Sequence, residues 1–95
     1  MIENTSDKEQ FIDIYFYSKL GMGRNAIEDD LDEILADKGE VIGGGSGPSG
    51  SNIDIEIYEG SAADFLGLIR TALKKLEVPD DTIIVINQER FQVYE

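Results

Sequence analysis

Carboxylates are the groups in this chain with the most chemical scope. Asp54 and Glu56 stand two apart in the run IDIEIYE, and Asp29 and Asp30 are adjacent in an acid-rich stretch. Either pair has the chemistry to hold a divalent cation or to serve an acid–base step. Neither is set in an EF-hand loop, and paired acids on amphipathic elements commonly face solvent, so no metal site is expected. There is no histidine and no cysteine. Their absence removes the imidazole and thiolate ligands of zinc and haem sites, the usual general base, and the nucleophile–base pairs of catalytic triads. Gly45-Ser46-Gly47-Pro48-Ser49-Gly50 matches the dinucleotide pattern G-x-G-x-x-G letter for letter. That pattern cradles a pyrophosphate between a strand and the start of a helix, whereas here a strand-like run follows, and no Lys-Ser or Lys-Thr closes a phosphate loop. The chain is therefore expected to carry no cofactor and not to be an enzyme.

The elements that would position these side chains can be read from periodicity. A strand sends alternate side chains to opposite faces of its sheet. In FIDIYFYS, Ile12, Ile14 and Phe16 form one set, and Phe11, Asp13, Tyr15 and Tyr17 form the other. In IDIEIYE, Ile53, Ile55 and Ile57 alternate in the same way with Asp54, Glu56 and Tyr58. Between them, Ile27, Leu31, Ile34 and Leu35 recur at helical spacing, with Asn25 as the expected N-cap, Glu28 completing a capping box, and Asp37-Lys38-Gly39 ending the helix. Its solvent side carries Glu28, Asp29, Asp30, Asp32 and Glu33. Glu40 to Ile42 reads as a short strand, and Gly43 to Asn52, GGGSGPSGSN, as a flexible hairpin loop.

A second helix follows the Ser61/Asp64 capping pair, burying Ala62, Phe65, Leu66, Ile69, Ala72, Leu73 and Leu76 before Pro79. Gly67 costs such a helix about 1 kcal/mol relative to alanine, an expense that close approach to the other helix would explain. Thr82 to Asn87 is β-branched and strand-like, and Arg90 to Tyr94 either pairs back as a hairpin or continues as a ragged edge. Met1 to Gln10 lacks periodicity and is expected to be a flexible lead-in.

Ninety-five residues suit a single domain, 1–95. The order strand, helix, strand, strand, helix, strand is that of an α+β ferredoxin-like βαββαβ fold: a four-stranded antiparallel sheet with two helices on one face, here with room for an extra C-terminal strand. In that topology the first and third strands are neighbours. Asp13, Tyr15 and Tyr17 would then share an outward patch with Asp54, Glu56 and Tyr58. With 20 acidic residues against 8 basic ones the formal net charge is -12, which disfavours nucleic acid and favours a basic protein partner. No apolar run approaches the roughly 20 residues of a membrane helix, so no membrane association and a cytoplasmic location are expected.

A small acidic α/β chain with an acid-rich first helix and the aromatic strands YFY and DIEIY resembles the bacterial immunity proteins of polymorphic-toxin and contact-dependent growth inhibition systems. The resemblance implies a protein-binding inhibitor that blocks the toxin domain of a cognate effector, often a basic nuclease. The residues expected to contact that partner are Glu28, Asp29, Asp30, Asp32 and Glu33 on the helix and Tyr15, Tyr17, Asp54, Glu56 and Tyr58 on the sheet. The two sets fall on opposite sides of the sheet, so one toxin domain would use one of them. The alternative is a regulatory or dimerising module, forming a homodimer through its sheet or binding a small molecule.

Overall fold

Isoleucine spacing sets the centre of the molecule. The computed structural model describes residues 11–18, 23–47 and 50–94, so the lead-in expected for Met1 to Gln10 lies outside the described residues. These residues form strands β1 (Phe11–Phe16), β2 (Gly39–Gly47), β3 (Gly50–Ile57), β4 (Ile83–Ile86) and β5 (Glu89–Gln92), with helices α1 (Arg24–Leu35) and α2 (Leu66–Lys75). β1 pairs antiparallel with β3 in the register Ile12↔Ile55 and Ile14↔Ile53, and with β4 in the register Ile12↔Ile86 and Ile14↔Ile84. Because side chains alternate, matching isoleucine to isoleucine across three strands puts them all on one face.

That face is buried by both helices. Ile27, Leu31 and Leu35 of α1 and Ile69 and Leu73 of α2 join the inward residues of β1, β3 and β4 in one core cluster. The result is an α+β arrangement of two helices on an open antiparallel sheet. The sheet has five strands in the order β2-β3-β1-β4-β5, so it departs from the expected four-stranded sheet by a strand outside β4.

β5 settles the C-terminal alternatives as a hairpin. Asn87 and Gln88 both have positive φ, 51° and 71°, as a two-residue type I′ turn requires. Arg70 of α2 clips the new edge in place: its Nε donates to the Gln92 carbonyl at 2.9 Å, and its guanidinium lies 5.9 Å from the centre of the Phe91 ring. Val93 is buried, and the Tyr94 hydroxyl donates to the Val78 carbonyl at 2.6 Å.

Three local expectations are corrected. Of the loop expected over Gly43 to Asn52, the described residues are ladder: β2 runs through Gly47 and β3 starts at Gly50, with a bulge between Val41 and Gly43. Glycines lack side chains to pack, but a partner strand as regular as β3 satisfies the backbone groups that face it all the same. α1 starts at Arg24 after Gly23, with no side-chain cap, and ends at Leu35, where Ala36 takes a positive φ of 55°. Glu28 bonds to Arg24 at 2.9 Å instead of capping with Asn25. Gly39 is instead the start of β2, where a Cβ would come within 2.7 Å of the Glu56 carbonyl oxygen. The Ser61/Asp64 capping box is present, although its first turn, Ala62–Phe65, is 3-10.

Gly67 has no helix against it; a Cβ there would meet nothing within 4 Å. Gly44 is the opposite case, with a Cβ placed 2.4 Å from the Asn52 carbonyl oxygen. Gly67→Ala should therefore stabilise the protein by about 1 kcal/mol. Gly44→Ala should destabilise it by about 1–3 kcal/mol, both read from urea unfolding curves.

Candidate binding face of the sheet

The helices leave the other face of the sheet uncovered. The register that buries the isoleucines sets Asp13 directly opposite Asp54 and Phe11 opposite Glu56 on that outer face. Tyr15 lies opposite Asn52 on one side and Ile83 on the other, and Val85 lies opposite Asp13 and Arg90. The outer face is therefore a band of carboxylates across β3 and β1, bordered by aromatic and branched apolar groups.

Two like charges opposed on neighbouring strands disfavour ionisation of both. Asp13 is half-buried between β3 and β4, and its pKa is pushed up to about 6. Loss of hydration is the first cause, followed by a hydrogen bond with Asp54 and the Asp54 charge. The Asn52 amide donates to Asp54 Oδ1 at 3.1 Å. Beside the pair, Tyr15 and Tyr17 stack with ring centroids 6.4 Å apart. Arg90 donates to the Tyr17 hydroxyl at 3.1 Å. The Tyr15 phenol is raised above its ordinary pKa, first by the Asp13 charge.

Five of the side chains expected at a partner surface lie on the sheet side, and four of these make up the band or its rim. Asp54, Glu56, Tyr15 and Tyr17 are brought together. Tyr58 follows the end of β3 and turns to Glu40, whose hydrogen bond pushes its phenol up to about 12. On α1, Glu28 is engaged by Arg24, and Asp32 accepts the Val41 N–H at 2.9 Å, tying the helix to β2. Asp29, Asp30 and Glu33 complete the helix set and lie across the core from the carboxylate pair, on the side of the sheet that α1 covers.

No known family, curated protein or solved structure matches the chain. The geometry therefore carries the functional reading. Two open troughs flank the carboxylate pair. One, of about 340 Å³, lies between the tyrosines and the stretch Gly45, Ser46 and Gly47. The other, of about 430 Å³, is lined by Phe11, Asp13, Val85 and the Asn87–Gln88 turn. Among the described residues no group of three or more acidic side chains is arranged to hold a metal ion.

Sequence reasoning did not anticipate Arg90, Asn52, Ile83 or Val85 as members of this face. Alternation within each strand is visible in the sequence, but β5 has no register there, and the glycine-rich run before Asn52 reads as a loop.

Because Asp13 titrates higher folded than unfolded, its favourable contribution is full below its ordinary value of 3.8 and is lost as pH rises through about 6. Asp13→Asn removes that loss while still offering Asp54 a donor. The variant should be more stable than the parent at neutral pH by about 1 kcal/mol, after allowing for solvent screening at a half-exposed site. The difference should vanish near pH 4, as followed by urea unfolding across pH.

Proposed function

We propose that this chain is a protein-binding inhibitor of the immunity type, neutralising a basic, nuclease-like toxin domain through the outer face of its sheet. The observation that carries the reading is the Asp13–Asp54 pair beside the stacked Tyr15 and Tyr17. In the free protein one carboxyl resists ionising beside the other, and a partner's lysine or arginine laid over the pair would relieve that repulsion. Tyr15 and Tyr17 would supply the rigid anchors common at the centres of interfaces, while the net charge of -12 would speed encounter with a basic partner. Glu56 would extend the acidic band toward the β2 side.

The helix set is the weaker surface, because Glu28 and Asp32 already serve contacts within the fold. We further take the fold as ferredoxin-like with one added strand, the chain as non-catalytic, and its location as cytoplasmic. Among the described residues no helix is long and apolar enough to cross a membrane. A dimer through the same face has one feature in its favour: Phe11 is 50% exposed there, beside Val85. Against it, a second copy brings the same carboxylates.

Calorimetry against the products of the genes on either side of this one tests the proposal. Asp13→Asn with Asp54→Asn, or Tyr15→Ala with Tyr17→Ala, should weaken binding about tenfold or more. Asp29→Asn with Asp30→Asn should leave it unchanged. Equal affinity for all three double variants would refute the sheet-face reading, and sedimentation showing a stable dimer of the free chain would favour the alternative.

A further inference from the structure

β2 is an edge strand that carries almost none of the devices by which edges are normally closed. Native edges are blunted by lysines, prolines, inward charges or covering segments, because an open row of N–H and C=O groups pairs with any extended chain. The first half of β2 is protected: Asp32 of α1 takes the Val41 N–H, and the bulge after Val41 displaces Ile42. Beyond the bulge, Gly43–Gly47 has neither proline nor charged residue. Among the described residues, the backbone hydrogen bonds of this stretch go to β3 alone. One side-chain bond reaches it, from Arg24 Nη1 to Ser46 Oγ at 2.9 Å, and leaves the peptide groups unengaged. In an antiparallel ladder alternate peptide groups point away from the existing partner, so this stretch offers open donors and acceptors on its outer side.

The surroundings select the chemistry of an incoming strand. Its side chains would alternate between the α1 side, where Glu28 and Asp32 stand, and the outer face, where Asp54 and Glu40 stand. A Cβ built at Gly43 lies 3.9 Å from Asp54 Oδ2, so the carboxylate is within reach of a side chain crossing the glycine stretch. A second copy of β2 would bring glycines and Glu40 into the field of a chain of net charge -12, which opposes self-pairing. We infer that Gly43–Gly47 is a strand-addition site, and that its occupant is an extended lysine- or arginine-rich segment of the partner protein, docked as a sixth strand beside β2.

This inference rests on the proposed basic partner but places the contact on the backbone rather than on the Asp13–Asp54 face. It can be tested with a short acetylated, amidated peptide alternating lysine and valine, and a matched peptide alternating glutamate and valine. The basic peptide should bind and slow hydrogen exchange of amides between Gly43 and Gly47. Methylating alternate amide nitrogens of the peptide in the register that faces β2 should weaken binding about tenfold, while methylation in the other register leaves it intact. Gly43→Lys, whose Cβ has room, should also weaken it while thermal unfolding remains cooperative.

No binding of the basic peptide at millimolar concentration, equal binding of the acidic peptide, or indifference to methylation in both registers would each overturn strand addition. Weakening by Asp13→Asn with Asp54→Asn combined with indifference to methylation would overturn it while leaving the sheet-face function standing.

Discussion

The pairing of β1 with β3 is the constraint on which the rest of the structure depends. Ile12, Ile14, Ile53 and Ile55 are completely buried, and each contributes about 1.5–3 kcal/mol by leaving water. The same register places Asp13 opposite Asp54. An unfavourable like-charge pair on a sheet costs up to about 1 kcal/mol. A one-residue slip would separate the acids but turn the isoleucines to solvent. Burial wins by a wide margin, so the carboxylates are held together by the core beneath them.

This arrangement gives the outer face its character. A rigid sheet fixes the two acids, the stacked tyrosines and Arg90 in one frame. The strain of the acid pair is paid in the free protein and is released when a cation arrives or when Asp13 takes up a proton. The face is therefore preorganised for positive charge without any loop having to close over it.

The acids of α1 show how composition can mislead about role. Asp32 holds the Val41 N–H and Glu28 holds Arg24, which in turn reaches Ser46. Part of what reads as an acidic docking surface is thus the fastening between the helix and β2. It protects the backbone of the edge as far as the bulge, and beyond it the fastening touches the glycine stretch through the Ser46 side chain.

The alternations in FIDIYFYS and IDIEIYE, the helical stripes and the Ser61/Asp64 cap were legible in the sequence, because each is a local pattern whose period belongs to one element. So was the adjacency of β1 and β3, through the order of elements. What remained hidden depended on partners distant in the chain. Gly43 to Gly47 has no local reason to be extended and becomes strand only because β3 supplies its hydrogen bonds. Gly67 has open space beside it where close helix packing was expected, a fact of inter-element distance. The added strand β5 needs Asn87 and Gln88 in a left-handed turn that their residue types permit but do not demand. Sequence alone determined which side chains share a face within each element. Tertiary structure decided which faces meet, because register, edge position and the carboxyl–carboxyl contact are properties of pairs of elements, selected by burial of the common isoleucine core.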